Sequence, residues 1–432
     1  SPSRREPLHN KEVPAQLIAL VNCLEFEEAF QTIFQEADQW RFHCDEEDRE
    51  LMRDARFLSW FAVLKISEKV DGLRPAPVPW RSCSSLQKGH PVIACGSPFG
   101  SLCPDLFINT LSRGIISNLA GEDSAVILTD ARCLPGTEGG GVFVVKSTGQ
   151  AHLIGVIVSP FCWKANEWIG LTLVCSVQSL FRNVLRCASL QGVLRDVWLN
   201  PGQPRLSLST TAHEPGIGKY PTVCLVESGS VWGSGVAVTP QLVVTCRHVV
   251  NGKSTVVLKF HHKQRFLHIT GDVLFATKPS SPYDLAVVQM RDSITHVVTP
   301  RMADTFNQGD SVFVVGYGGM GRRCGPSLTS GVISKAIRLK EQLVMLQSTC
   351  AVQAGASGGA VVQRDSGELL GIVSSNTRDL AVKVTYPHLN FIIPVTVFQR
   401  LLQQFHLKKN ISVFQVLNAT EVDVKKIWRL QE

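Results

Sequence analysis

Long apolar runs are missing from this 432-residue chain. No stretch reaches the roughly eighteen uninterrupted apolar residues of a membrane-spanning helix, so membrane insertion is not expected. An excess of one charge is missing too, with 43 Lys and Arg against 36 Asp and Glu, a net +7. The basic residues are scattered, the tightest groups being pairs such as Arg322 with Arg323 and Lys408 with Lys409. That describes a solvated surface and not a nucleic-acid footprint. No CxxC pair, HExxH string or Cys/His cluster has metal-ligand spacing, His261-His262 included, so neither a metal nor another cofactor is expected.

What is present is an ordinary globular composition, 44 % hydrophobic and 18 % charged with 34 Gly and 22 Pro, which excludes disordered, collagenous and coiled-coil classes. The 13 cysteines are odd in number. Several sit in apolar text, such as Cys95, Cys175 and Cys224, and read as free thiols of a reducing compartment. The glycosylation-type triplets at Asn410 and Asn418 are then chance matches. Ser1 to Lys11 is polar and charged and no Met begins the chain, so the expectation is a soluble chain without a secretory leader, processed or truncated at its start.

An internal repeat organises the chain. Gly89-His90-Pro91-Val92-Ile93-Ala94-Cys95-Gly96 returns as Gly309-Asp310-Ser311-Val312-Phe313-Val314-Val315-Gly316, an offset of 220 (309 − 89). Gly114-Ile115-Ile116-Ser117 returns as Gly331-Val332-Ile333-Ser334 at 217, and Leu153-Ile154-Gly155-Val156-Ile157 as Leu369-Leu370-Gly371-Ile372-Val373 at 216. Offsets that drift so little over separated matches mean two related domains.

Both halves read as β, with Val/Ile/Phe runs punctuated by Gly, Pro, Ser and Asn, as at Gly235–Val238, Leu242–Thr245, Thr255–Phe260, Leu285–Met290 and Val312–Tyr317. That spacing suggests antiparallel barrels or sandwiches and not βαβ units. Helices are expected over Val13–Gln35, Val177–Arg186 and Val395–Phe405. The division expected is a helical and polar segment 1–56, a first β domain 57–190, a Pro/Gly/Ser/Thr-rich linker 191–218, a second β domain 219–405 and a tail 406–432. Asp45–Arg49 reads as an exposed charged loop.

The second half carries the chemistry. Gly355-Ala356-Ser357-Gly358-Gly359 places a Ser among small residues, as needed where backbone N–H groups face a developing oxyanion. Upstream, Val243-Val244-Thr245-Cys246-Arg247-His248 ends an apolar strand on a His, and Ser281-Pro282-Tyr283-Asp284 puts an Asp before another. Each string alone is ordinary. Their order His, Asp, Ser, with spacings of 36 (284 − 248) and 73 (357 − 284), resembles the chymotrypsin-like serine proteases, whose triad bridges two six-stranded barrels. Trp232-Gly233-Ser234-Gly235-Val236 and Leu370-Gly371-Ile372 resemble the HtrA/Deg branch, and Val249 stands where secreted trypsins have Cys.

Leu128 to Gly141, Thr245-Cys246-Arg247-His248, Ser375-Asn376-Thr377-Arg378-Asp379 and Tyr386 to Phe391 together look like the trypsin domain-containing Deg proteases of peroxisomes, over roughly Phe57 to Leu430. The resemblance implies an all-β fold, a chymotrypsin-like double-barrel protease domain preceded by a degenerate relative. It also implies a serine endopeptidase of the peroxisomal matrix that removes amino-terminal leaders from imported enzymes, typically after Cys. Its partners would be protein substrates. Members of that group end in Ser-Lys-Leu, whereas this chain ends Arg429-Leu430-Gln431-Glu432.

By this reading His248, Asp284 and Ser357 are catalytic and the N–H groups of Gly355 and Ser357 form the oxyanion hole. Ala351 would lie near the floor of a small, uncharged specificity pocket, and substrate would pair along Ser374, Ser375 and Asn376. In the first half Glu138 falls on Ser357, Trp60 on Asp284, and no His lies near Gln31, so that half is expected to be silent. A thiol mechanism through Cys246 is disfavoured, because no oxyanion-type turn adjoins it. A substrate-binding holdase or a dormant protease stays open as the alternative, as does self-association.

Overall fold

The computed structural model describes residues 13–35, 40–42, 55–66, 78–99, 104–147, 149–160, 163–164, 167–187, 220–262, 265–294, 297–379, 384–419 and 421–428. The segment 191–218 and the run Asp45–Arg49 lie outside the described residues.

The first half begins with β1 (Ala15–Asn22), α1 (Leu24–Ile33), β2 (Trp40–Arg41) and β3 (Trp60–Ile66). The helix expected over Val13–Gln35 is split, because β1 pairs antiparallel with β3 from Ala15–Ile66 to Asn22–Trp60. Leu17 and Leu20, whose spacing suggested the helix, are 54 % and 58 % exposed, whereas the true helical face is Phe26, Ala29, Phe30 and Ile33. There follow β4 (Pro91–Gly96), β5 (Thr110–Ala120), β6 (Val126–Thr129), β7 (Gly141–Val145), β8 (Ala151–Ser159), β9 (Trp163–Lys164), β10 (Glu167–Trp168), β11 (Thr172–Ser176) and α2 (Val177–Arg186). Six of them close a barrel in the order β11-β6-β5-β4-β7-β8, while β10, β9 and β2 form a small separate sheet. Val21, Cys23, Phe26 and Phe30 share one core with Leu171, Leu173 and Leu180, so β1 and α1 pack as part of this half.

The second half holds two closed barrels. The first contains β12 (Val223–Ser228), β13 (Val231–Thr239), β14 (Leu242–Thr245), the one-turn α3 (Arg247–Val250), β15 (Thr255–His262), β16 (Arg265–Ala276) and β17 (Ala286–Met290). The second contains β18 (Ser311–Gly316), β19 (Ser327–Leu339), β20 (Gln342–Ser348), β21 (Ala360–Gln363), β22 (Leu369–Asp379) and β23 (Val384–Pro394). Its order, β18-β19-β20-β23-β22-β21, repeats the first-half barrel strand for strand. Next come α4 (Val395–Lys408) and α5 (Val422–Trp428). Helix α4 runs through the boundary expected at 405, and Phe414, Leu417, Val424 and Trp428 are buried with Phe398 and Tyr283, so this stretch packs on the core of the second half. The chain is therefore mostly β and includes the double barrel expected of it, whereas the first half shows one closed barrel among the described residues.

The two halves join through equivalent strands, β5 against β19. At the join the buried Asp130 carboxylate accepts from Ile115 N (2.7 Å), Ser330 N (2.6 Å) and Ser330 Oγ (2.7 Å). Lys88 Nζ donates to Pro326 O at 2.6 Å, and Asn118 Nδ2 to Ser327 Oγ at 2.9 Å. Met320 and Cys324, from the loop after β18, are buried in the first-half core. All the described cysteines are free thiols.

Candidate active site

Strand β14 is fully buried and ends at Thr245, after which Cys246 stays extended and α3 turns once. Val249 and Val250 anchor that turn in the core, which leaves the side chain of His248 at 47 % exposure. Asp284 sits just before β17 in a turn pinned by Thr277, whose Oγ1 donates to Tyr283 O (2.7 Å) and accepts from Leu285 N (3.1 Å). His248 grips Asp284 twice: its N–H donates to Oδ1 at 3.0 Å, and its ring Nδ1–H donates to Oδ2. A carboxylate at Nδ1 fixes the proton there and leaves Nε2 as an acceptor. Burial alone would raise the Asp284 carboxyl, but the His248 hydrogen bonds and charge, helped by Arg247, outweigh it and hold the group below its ordinary value.

Ser357 lies in a turn locked by Ala356 N to Gln353 O (2.9 Å), Gly359 N to Ala356 O (2.8 Å) and Gly358 N to Val373 O (2.7 Å). Ser234 N donates to Ser357 O at 2.8 Å, and the Ser234 hydroxyl donates to Gly355 O at 2.7 Å. Two glycines are obligatory here. A Cβ on Gly355 (φ +92°) would fall 2.1 Å from the Trp232 ring, and one on Gly358 (φ +83°) 2.0 Å from Ser234 O and 2.6 Å from Thr245 Oγ1. The turn carrying Ser357 is thus seated on the strand end that leads into His248. Among the described residues, the N–H groups of Gly355 and Ser357 donate to no acceptor.

Ala351 is buried, and its carbonyl accepts from Thr329 Oγ1 at 2.7 Å. Beside it lies His388, whose Nδ1 contacts Thr349 O at 3.1 Å and whose buried Nε2 has no hydrogen-bond partner. Burial, with the positive charge of Arg132, lowers the His388 pKa, so the imidazole is neutral at pH 7. Neither His388 nor Gln353 was singled out from the sequence, since one His in strand text and one Gln in a turn carry no pattern. Ser374, Ser375 and Asn376 all lie on β22, where β21 ends opposite Ile372 and β23 continues on the other side. Cys246 is fully buried, its thiol pushed up by burial and by Asp284, and it donates to Val373 O at 3.2 Å. Its sulfur, His248 and Asp284 offer ligand atoms within 4.8 Å of one another. The thiol is protonated, however, and the carboxylate is already committed to His248, so this is a poor metal set.

The trypsin-like peptidase domain family matches residues 41–156 and 233–372, reaching into both halves. The peroxisomal leader peptide-processing protease of Homo sapiens is 42 % identical over 449 residues, covering 100 % of this chain and 77 % of its own. The chain belongs to that family. Its counterpart in Mus musculus is 43 % identical over 451 residues, with the same coverage. A solved structure, Rv3671c from M. tuberculosis, aligns with 44 % of this chain and 88 % of its own at 20 % identity and a TM-score of 0.35. As a member of a family of trypsin-like peptidases, this chain is a serine endopeptidase and acts on protein substrates. No helix among the described residues is long and apolar enough to cross a membrane.

The first half of this family member repeats the turn that carries Ser357 but fills it. Gly136 (φ +91°) and Gly139 (φ +81°) match Gly355 (φ +92°) and Gly358 (φ +83°). Thr137 N to Leu134 O (3.1 Å), Gly140 N to Thr137 O (2.9 Å) and Gly139 N to Ile157 O (2.9 Å) reproduce the hydrogen bonds around Ser357. Glu138 stands in the place of the Ser, and its Oε2 accepts from Gly136 N at 2.8 Å. The amide equivalent to that of Gly355 is therefore occupied by the chain's own carboxylate, beside a cavity of about 370 Å³ lined by Cys95, Asn109 and Phe143. Trp60, aligned with Asp284 by the repeat, begins β3 and is 49 % exposed.

Proposed function

We propose that Ser357, His248 and Asp284 form the catalytic triad and that this enzyme removes amino-terminal leaders from proteins of the peroxisomal matrix, cutting after Cys. The observation that carries the reading is the pairing of His248 with Asp284 beside a Ser turn whose two N–H groups have no acceptor among the described residues. The names of the human and mouse relatives supply the substrate class and the compartment.

In the acylation step the Ser357 oxygen attacks the scissile carbonyl while His248 Nε2 takes its proton. The carbonyl π pair moves onto oxygen, which the N–H groups of Gly355 and Ser357 stabilise. Collapse re-forms the carbonyl and expels the amine, which receives the proton from His248. Water then repeats the sequence on the acyl-enzyme. Asp284 keeps the imidazole proton on Nδ1 and stabilises the imidazolium. Substrate would run extended along Ser374, Ser375 and Asn376, pairing with the side of β22 left by the end of β21. Ala351 supports a small residue before the cut, and no carboxylate replaces it to favour Lys or Arg.

The test is cleavage of a peptide spanning a leader junction with Cys before the cut, alongside its Lys counterpart, by wild type and Ser357→Ala. Cutting by wild type alone, and only after Cys, is expected. Equal cutting of the Lys peptide would overturn the pocket assignment, and cutting by Ser357→Ala would remove Ser357 as nucleophile. The holdase reading has one observation in its favour: Ser357 and His248 are not hydrogen-bonded to each other here. Such bonds often tighten only with substrate bound. A holdase would bind the Cys peptide and leave it whole.

A further inference from the structure

The oxyanion hole needs the Gly355 N–H aimed at substrate, and in a trans peptide the preceding carbonyl must then point the opposite way. That carbonyl, Ala354 O, is held by Gly319 N at 3.2 Å. Gly319 in turn lies against the first half, where a Cβ on it would stand 3.6 Å from Ile169 Cγ2 and 3.9 Å from the Trp40 ring. One residue before Ala354, the buried Gln353 side chain crosses to the same place, Nε2 donating to Ile169 O at 2.7 Å. Two residues earlier, the space beside Gly170 is bounded by Ala351 Cβ and His388 Nε2, each 3.4 Å from a Cβ placed there. The loop that follows Gly319 continues into the first-half core through Met320 and Cys324. The short first-half segment Ile169–Gly170, with Gly319 packed on it, thus anchors 351–354 from outside its own barrel.

We propose that the silent half is a built-in positioning element for the protease. Through Ile169 it locks Gln353 and Gly319, and these hold the Ala354–Gly355 peptide in the orientation that forms the oxyanion hole. Gln353 is a positioning residue, since it acts through that peptide and does not touch substrate. The inference rests on the assignment of Gly355 and Ser357 made above.

The experiment compares wild type, Gln353→Met, Gly319→Ala and Ser357→Ala in the full chain on the Cys leader-junction peptide. Methionine keeps the length of Gln353 and loses the donor. Alanine at Gly319 (φ +64°) disturbs the other clamp without orphaning a buried group. The added probe is a peptide boronic acid ending in boro-alanine, whose tetrahedral adduct occupies the oxyanion hole. Loss of a whole oxyanion donor costs about 10²–10³-fold, so misplacing one for part of the time should lower kcat about 10- to 100-fold. KM should stay within about threefold, and boronate affinity should fall by the same factor as kcat, because only the transition state and its mimic use the hole. Folding is checked by circular dichroism. Either variant, folded, with wild-type kcat and boronate affinity overturns the proposal, as does a loss confined to KM or a fall in kcat with boronate affinity unchanged. Cleavage by Ser357→Ala would instead remove the catalytic assignment itself. An inactive Ser357→Ala beside a fully active Gln353→Met would remove only the positioning role.

Discussion

Ser234 is the buried hydroxyl on which the two barrels of the protease meet. Its Oγ accepts from Tyr317 N at 2.8 Å and donates to Gly355 O at 2.7 Å, and the residue is fully buried. In Ser234→Ala the Tyr317 N–H loses its hydroxyl acceptor in a buried place, and the Gly355 carbonyl loses its hydroxyl donor in a half-buried one. An orphaned buried group costs about 1–3 kcal/mol, the half-buried carbonyl costs less, and relaxation of the turn recovers part, so a loss of about 2 kcal/mol is expected. The released Gly355 carbonyl also frees the residue whose N–H is proposed to serve the oxyanion hole, so kcat per folded enzyme should fall about tenfold, which is about 1.4 kcal/mol of transition-state stabilisation. Urea unfolding at unchanged m-value measures the first effect, and turnover normalised to active sites titrated with a fluorophosphonate measures the second. A stability loss below about 1 kcal/mol together with unchanged kcat would refute the argument that this hydroxyl carries both groups.

Asp284→Asn should lower kcat by about 10⁴ with little effect on fold, since the amide cannot accept from both His248 donors and present the correct tautomer; pre-steady-state kinetics on the Cys peptide reads this. The Asp284 carboxyl is held below its ordinary value in the folded protein, so its contribution to stability is present above the unfolded pKa and is lost as pH falls through the folded one. Acid unfolding of Asp284→Asn should lack that component. The buried thiols act with the opposite sign. Cys175, Cys224, Cys246 and Cys350 are raised by burial, Cys350 to about 12, so the stability they lend is full below the unfolded value and drains as pH rises. Stability should therefore fall as pH rises past the unfolded thiol value, and Cys224→Ala should remove part of that slope in thermal melts. Gly358→Ala should yield no active protein, because its Cβ meets backbone at 2.0 Å; recovery of folded, active enzyme would contradict the placement of the turn.

Much of the site was legible because its chemistry restricts residue type. A turn that brings backbone against Ser234 and Trp232 must be Gly at 355 and 358, and that restriction is the string that stands out in the sequence. The repeat was legible because two equivalent barrels need Gly and apolar residues at equivalent places, as at Gly114 and Gly331. Other features leave no such trace. Leu17, Leu20 and Leu24 satisfy a helical spacing, yet pairing with β3 satisfies the backbone of β1 as a strand, and local apolar periodicity cannot choose between them. The Gln353 contact ends on a backbone carbonyl, which any residue at 169 would supply, so no side-chain pattern could announce it. Packing of Phe414 and Trp428 onto the protease core joins positions more than a hundred residues from Tyr283, beyond the reach of local pattern.

The contact of β5 with β19 sets one repeat against the other through the same element, the arrangement by which two identical subunits form a two-fold dimer. In such a dimer any substitution appears twice, on both sides of the axis, and must suit both. Within one chain it appears once. Asp130 occupies the position that the repeat assigns to Thr349, and only the Asp130 side carries a buried carboxylate clasping its neighbour through Ser330. Fusion therefore lets the interface become chemically lopsided, with a charge on one face and a hydroxyl on the other. The same freedom lets one copy carry Glu138 in the turn where its sibling carries Ser357, at a stoichiometry that dissociation cannot alter.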